Sequence, residues 1–447
     1  MRNDSQQWKQ YPKYKNSGVE WLGMIPDGWN IFKLKRMAEI NISNVDKKTE
    51  LNQEKVLLCN YVDVYYNDYI TNKLNFLEAT ATKEQKKRFE LKKGDVLLTK
   101  DSETWDDIAI PACVETDLDN VLCGYHLAHI RPHPNKLYSK YLFRAISASG
   151  LKEQFWVAAN GVTRFGLSKS SITNALFPLP PFSEQEKIAQ FLDKETTKID
   201  NLINKKQRLI ELLQEKRTAL ISHAVTKGLN PDVPMKYSGV EWLGMIPESW
   251  VVSKAKLISS IFVPQRNKPD LNTVDGVRWI TMENLISPSI NLSLSGYFVS
   301  QSALLQAGSK VLPKECIIAS CVGNFGIASV NLIPVVINQQ LQAYIPNKQK
   351  IDIWFFRYFI TSSKIYFELV ATSTTLVYVN QTSFGELPTV LPPLAEQEKI
   401  AEYLDIQTQK IDNLINKTQT SIEYLKEYRT ALISAAVTGK IDVREEV

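Results

Sequence analysis

Histidine and cysteine are scarce in this sequence, four and five among 447 residues. Cys59, Cys113, Cys123, Cys316 and Cys321 are odd in number and irregularly spaced, which argues against a secreted disulfide framework and for reduced thiols in a cytosol. The grouping of Cys113, Cys123, His126, His129 and His133 is a weak zinc signature, because His126 and His129 lie three apart on an expected strand and point to opposite faces. No charge of one sign dominates: Lys+Arg 53 against Asp+Glu 48 leave +5, far from the blanket positive field of a histone-like protein. Long apolar runs are missing as well. The opening residues, MRNDSQQWKQYPKYKN, hold no stretch of the kind a signal peptide uses. The uncharged segment 316–347 is interrupted by Gly323, Asn324, Gly326, Asn331, Pro334 and Asn338-Gln339-Gln340, so it reads as short buried strands and not as a membrane span. No GxxxxGK[ST] phosphate loop occurs, and no glycine-rich cofactor loop follows a strand. Hydrophobic and charged contents of 44% and 23% are those of an ordinary globular protein, expected in the cytoplasm.

What is present is a sequence written twice. SGVEWLGMIP stands at 17–26 and again at 238–247, an offset of 221. PPFSEQEKIAQFLD at 180–193 returns as PPLAEQEKIAEYLD at 392–405; KIDNLIN recurs at 198–204 and 410–416, and RTALIS at 217–222 and 429–434, all offset by 212. The material between the blocks is therefore nine residues longer in the first copy. The intervening segments have diverged, with echoes between 94–112 and 314–330 and between YLFRAI (141–146) and WFFRYF (354–359). A period above 200 residues is too long for a solenoid unit and describes a duplicated domain with its connector. The shared blocks appear twice for one job, and the diverged segments do two jobs of one kind.

The second block predicts a long helix, free of Gly and Pro from Ser183 to about Val225. Ser183 and Glu186 have capping-box spacing, Ala395 replaces that Ser in the second copy, and Gly228 and Gly439 stand where C-terminal caps belong. Steps of four and three from Ile188 give Leu192, Ile199, Leu202, Leu209, Leu213 and Leu220; from Ile400 they give Leu404, Ile411, Leu414, Leu425 and Leu432. This reads as a coiled-coil seam with polar interruptions, on a rod of ~60 Å at ~1.5 Å per residue. Two such helices, each following a globular domain, can pair antiparallel. The expected fold is α+β: two globular mixed α/β domains separated by two long antiparallel coiled-coil helices, in a pseudo-two-fold repeat. The boundaries expected are 1–26 for an N-terminal segment with the tag, 27–182 and 248–394 for the globular domains, 183–228 and 395–438 for the helices, 229–247 for the second tag and 439–447 for a tail. Strands are expected at 56–66, 70–76, 95–99, 108–114 and 121–130, and helices at 138–148 and 351–361.

The duplicated LPP-x-x-EQ-x-KIA motifs (179–189 and 391–401), each opening a helix that ends near RTALIS, resemble those of the DNA-specificity subunit of type I restriction–modification systems, as do the GVEWLG-x-IP tags. The resemblance covers essentially the whole chain. It implies two target-recognition domains, each reading one half of an asymmetric, gapped DNA site, with the helices as spacer. It further implies that the helical region and tags dock two modification (methyltransferase) subunits and that restriction subunits join them. The complex would carry adenine-N6 methyltransferase and ATP-dependent endonuclease activity. The chain itself is then not an enzyme and binds no cofactor, S-adenosylmethionine, ATP and Mg belonging to the partner subunits.

Candidate DNA contacts fall in three places. The loop after a central strand offers Lys100, Asp101, Ser102 and Trp105 in the first copy, and Ser320 and Asn324 in the second. The turn before the LPP motif offers Asn160, Thr163, Arg164 and Lys169, and Tyr378, Asn380 and Gln381. Asn338, Gln339 and Gln340 carry amides suited to adenine edges, and Arg266 and Lys268 suit phosphates. Arg164 is the leading candidate. The competing readings are a free-standing nuclease or methyltransferase and a partner-independent transcriptional regulator. Against a methyltransferase, Asn230-Pro231-Asp232 is the nearest approach to the Asn-Pro-Pro-aromatic motif and does not fit it.

Overall fold

The computed structural model describes residues 8–372 and 377–446; the outermost residues of the expected N-terminal segment and tail lie outside them. The chain forms two compact units, Met1–Gln207 with Thr420–Val447, and Arg208–Gln419. Both cuts fall inside long helices, Phe182–Lys227 and Leu394–Val437, so each unit holds one half of each helix.

In the first unit a five-stranded sheet runs Ala38–Ile42, Leu127–Pro132, Val96–Thr99, Pro111–Val114, Tyr69–Ile70, antiparallel except for its last pair. A three-stranded sheet, Val121–Cys123, Glu54–Cys59, Leu77–Ala81, packs beside it. The second unit repeats both. Its strands run Ser259–Phe262, Leu341–Pro346, Cys316–Ser320, Ala328–Asn331, Ser289–Ile290, beside Val335–Ile337, Val277–Ile280, Phe298–Val299. Period-two alternation sorts the side chains: Val96 and Leu98 enter the core beneath the helices, whereas Leu97 enters the core shared with the smaller sheet. Covered on both faces, such strands read as continuous apolar runs, which accounts for the uncharged segment 316–347. Asn331 within it is fully buried and satisfied, accepting from Cys316 N at 2.9 Å and donating to Pro313 O and Ile333 O at 2.6 and 2.9 Å. Among the described residues, no helix is long and apolar enough to cross a membrane.

Seven of the nine extra residues fall in two connections: 100–110 against 321–327, and 115–120 against 332–334. The helices Ser139–Ser147 and Ile353–Ser362 lie close to their expected limits. The stretch 56–66 does not stay extended: the strand ends at Cys59 and a helix covers Tyr61–Tyr65, because Asp63 accepts from Asn60 N at 2.7 Å and closes a turn. Of 70–76, only Tyr69–Ile70 pairs as a strand. The stretch 121–130 is two strands of different sheets, divided at Gly124.

Two expectations about the long helices are corrected. Ser183 is not the cap; the helix begins at Phe182, and Pro181 O accepts from Glu184 N and Gln185 N at 2.9 and 3.0 Å. Pro393 O does the same for Glu396 N and Gln397 N at 2.8 and 3.0 Å, so Ala395 occupies a position that never capped. The seam also shifts by one residue. Leu202, Leu209 and Leu414 are exposed at 43%, 45% and 52%, while Ile203 and Ile415 are half-buried and Ile210 is buried. Buried Thr196 and Thr408 follow Leu192 and Leu404 by four, not three, and this rotates the later heptads onto the isoleucine of each Leu-Ile pair. Ile188, Leu192, Ile199, Ile400, Leu404, Ile411 and Leu432 are buried as expected, and Leu213, Leu220 and Leu425 are half-buried. Gly228 and Gly439 do take left-handed φ of 79° and 72° beyond the helix ends.

The repeated blocks meet each other crosswise. In the first unit Arg429, from the second RTALIS, donates to both carboxylate oxygens of Asp200, from the first KIDNLIN, at 2.9 and 3.2 Å. In the second unit Arg217 does the same to Asp412 at 2.8 and 3.2 Å. Within each unit the helix halves run antiparallel, since Lys187 reaches Arg444 O at 3.0 Å in one and Gly228 lies beside Glu396 in the other. The tags are hairpins, Tyr14–Asn16 with Met24–Pro26 and Met235–Tyr237 with Met245–Pro247. Each is followed by a buried tryptophan whose indole N–H donates to the first acid of the EQ pair: Trp29 to Glu184 at 3.1 Å, and Trp250 to Glu396 at 3.1 Å. Gln185 and Gln397 complete the joint by accepting from Tyr138 N and Asp352 N, each at 2.8 Å.

Candidate nucleic-acid interface

Three loops that are far apart in sequence close on one end of the large sheet in each unit. In the first, Lys100 N donates to His126 O at 3.0 Å and Leu167 N donates to Lys100 O at 2.7 Å. In the second, Cys321 N donates to Gln340 O at 3.0 Å and Val379 N to Cys321 O at 2.8 Å. The loop before the LPP motif is closed by reciprocal main-chain bonds in both copies, Asn160 with Gly166 at 3.1 and 2.9 Å and Thr372 with Tyr378 at 3.0 and 3.1 Å. Asn160 and Thr372, Gly166 and Tyr378, and Leu167 and Val379 keep the 212-residue offset, so one frame presents two sets of side chains.

In the first unit the frame borders an open cleft of ≈ 940 Å³ lined by Tyr61, Tyr65, Thr163 and Arg164 among others. Thr163 and Arg164 are exposed, and Arg164 Nη2 stands 3.4 Å from His126 Nδ1. Lys100 is not free: its Nζ bonds Asp101 at 2.7 Å and lies 5.3 Å from the centre of the Tyr125 ring. Asp101 also meets His126 Nδ1 at 2.7 Å. Burial pushes the Asp101 pKa up, but hydrogen bonds from Lys100 and His126 outweigh it and hold the carboxyl below its ordinary range. Ser102 is buried at the wall of the cleft, its Oγ accepting from Thr104 N at 3.4 Å. Trp105 is half-exposed and meets Trp156 edge-on at 6.0 Å. Asn160 folds back on Ala158 O at 2.9 Å, and Lys169 is exposed with no partner among the described residues.

The counterpart cleft in the second unit, ≈ 410 Å³, gathers Arg266, Gln339, Tyr378, Asn380 and Gln381. Ser320 is buried and bonded to Asn324 O, so it is not displayed. Asn324 is exposed but does not line the cleft, and the same holds for Lys268. Asn338 and Gln340 bond each other at 3.2 Å, and Gln339 Nε2 holds the main chain of Gln265 and Arg266 at 3.1 and 3.3 Å. Asn380 caps Ser383 N at 2.9 Å.

Several lining groups carried no sequence signal. Tyr61, Tyr65 and Asp107 are among them; Asp107 accepts from Tyr65 at 2.8 Å and pushes that phenol up to about 12. His126 was discounted as half of a metal pair. Instead His129 is buried against Asp95 at 2.8 Å, and His126 turns on a left-handed φ of 73° into the cleft. In the second unit, buried Gln342 was missed because it sits inside a strand.

Comparison with known proteins decides what this frame is. The family described as type I restriction modification DNA specificity domain matches residues 26–212 and again 247–424. The chain belongs to that family. It is accordingly a DNA-specificity subunit of the type I restriction–modification kind, and its two matches are the two units' recognition domains with their helices. The specificity subunit is 23% identical over 440 residues to the putative type I restriction enzyme MjaX specificity subunit of Methanocaldococcus jannaschii, across 97% of this chain and 99% of that one. Its fold is that of the HsdS subunit from Thermoanaerobacter tengcongensis, with TM-score 0.57 and 17% identity over 93% and 98% of the two chains. A chain from a structure describing complex assembly and conformational transition of the type I R-M system superposes with TM-score 0.70 at 17% identity, over 95% and 99%.

Proposed function

We propose that each unit reads one half of an asymmetric, gapped DNA site with the sheet-end cleft described above, and that the chain performs no chemistry itself. Methyltransferase and restriction subunits supply adenine-N6 methylation and ATP-dependent cleavage, and S-adenosylmethionine, ATP and Mg are held by those subunits. The observation that carries this reading is the pair of equivalent clefts: one main-chain frame, closed by the same bonds in both units, displays Arg164 and Thr163 in one and amides with Arg266 in the other. A duplicated frame with diverged side chains is what two different half-sites require, since base edges specify while phosphate contacts only position. The tag hairpins support the docking half of the proposal. Their repeated methionines, Met24 and Met245, are exposed at 52% and 44%, an identical surface offered to two copies of one partner. An assembly acting on chromosomal DNA places the protein in the cytoplasm.

Methylome sequencing of the host with and without this chain tests the proposal. The expected result is loss of one gapped, asymmetric adenine-methylation motif. Methyl transfer by the purified chain with S-adenosylmethionine and DNA alone would overturn it in favour of a free-standing methyltransferase.

A further inference from the structure

One displayed side chain of the second unit assigns a base to that unit's cleft. Ser168 and Asn380 occupy equivalent places, each capping the next turn with its own side chain, to Ser171 N at 3.0 Å and to Ser383 N at 2.9 Å. The residue that follows is Lys169 in the first unit and Gln381 in the second. Both are exposed, and neither side chain has a hydrogen-bond partner among the described residues. The short turn acts only as a mount; the side chain carries the argument.

Gln381 lines the second cleft, and among its amides it alone has both atoms uncommitted: Gln339 and Asn380 each spend one end on the main chain. Beneath the surface of the same cleft lies a buried amide. Gln342, 5% exposed, gives Nε2 to Val379 O at 2.9 Å and leaves Oε1 without a partner, while the neighbouring Cys321 thiol points to Gln339 O at 3.7 Å. A base meeting the exposed Gln381 amide should bring a donor beside an acceptor. Adenine does so on its major-groove edge, with the N6 amino group next to N7; guanine and thymine bring only acceptors there, and cytosine only a donor. Lys169, at the equivalent position, does not line the first cleft and is assigned no base.

We infer that Gln381 determines specificity, reading an adenine in the half-site of the second unit. The inference rests on the proposed function of the two clefts and adds the base class that the second one takes.

Gln381→Lys, Gln381→Ala and Lys169→Gln are made in the full chain, co-expressed with its methyltransferase and restriction partners, and the methylated motif is sequenced. Wild type should show a fixed adenine in one half-site. Gln381→Lys should change that position to guanine, and Gln381→Ala should relax it, with a preference on the order of 10- to 100-fold lost in competition binding. Lys169→Gln, made at the equivalent position of the first unit, should leave this adenine position fixed. Unchanged motifs in Gln381→Lys and Gln381→Ala, with wild-type melting temperatures, would overturn the inference while leaving the proposed function standing. A wild-type complex that methylates no gapped motif would instead remove the proposed function, and this inference with it.

Discussion

Gly161 holds a backbone that a side chain cannot share: at φ 154° an added Cβ would lie 1.9 Å from Arg164 O. It thereby sets the tight loop that displays Thr163 and Arg164. Gly161→Ala should cut binding to the correct site roughly ten-fold or more, by displacing Arg164, yet move the melting temperature by only about a few degrees, because the loop is exposed. Binding and melting curves on one preparation check both. A pH effect also belongs at this scale. Burial raises the pKa of Asp95, but hydrogen bonds from Arg131 and His129 outweigh it and leave the carboxyl below its ordinary range. Asp193 is likewise lowered, burial being outweighed by Tyr69 and Arg144. A depressed carboxylate pKa contributes stability that is complete above the unfolded value and is lost as pH falls through the folded one. The melting temperature should therefore be insensitive to these groups from pH 7 to about 5 and fall below about pH 4. Arg131→Met should lower it at pH 7 and shrink the acid-dependent drop. Of the residues expected to meet DNA, composition alone could not separate displayed Arg164 from Lys100, because Lys100 is consumed by Asp101, its neighbour in sequence, only once the turn is formed.

At the scale of elements, the long helices were legible in length and in their glycine caps, and illegible in phase. Leu202-Ile203 and Leu209-Ile210 offer either heptad register, and only the partner helix chooses. Ile210, 5% exposed, should cost about 2–4 kcal/mol as Ile210→Ala, whereas Leu209→Ala, at 45% exposure, should cost under about 1 kcal/mol. Chemical denaturation of the two variants distinguishes the registers, and equal losses would return the seam to Leu209. Strands were legible where they are buried on both faces, as at Val96–Thr99. They were misread where a local hydrogen bond wins over β-propensity: the aromatic, β-branched YVDVYY stretch turns helical because Asp63 closes on Asn60 N.

At the scale of the whole molecule, the repeated blocks are complementary to each other and not merely copies. KIDNLIN of one copy is paired with RTALIS of the other inside each unit, through Asp200–Arg429 and Asp412–Arg217. A fragment ending at Gly228 would keep Asp200 and Arg217 but lose residues 420–447 from its own unit. Its seam residues Ile188, Leu192 and Ile199 would be uncovered. Such a fragment should self-associate, with Arg217 of one copy taking the place of Arg429 against Asp200 of another. Sedimentation should find a dimer, and a monomer at micromolar concentration would contradict the crosswise pairing.

The sequence by itself determined the duplication, the two long helices, the tags and the kinship, because each is a pattern of identity or periodicity along the chain. It also marked three candidate loops, as separate stretches. Tertiary structure alone decided that those loops form one cleft in each unit, which of their side chains are spent on one another, and which face of each helix is buried. Those are outcomes of competition between neighbours remote in sequence: a hydrogen bond from residue 167 to residue 100, or from 379 to 321, leaves no periodic trace in the chain.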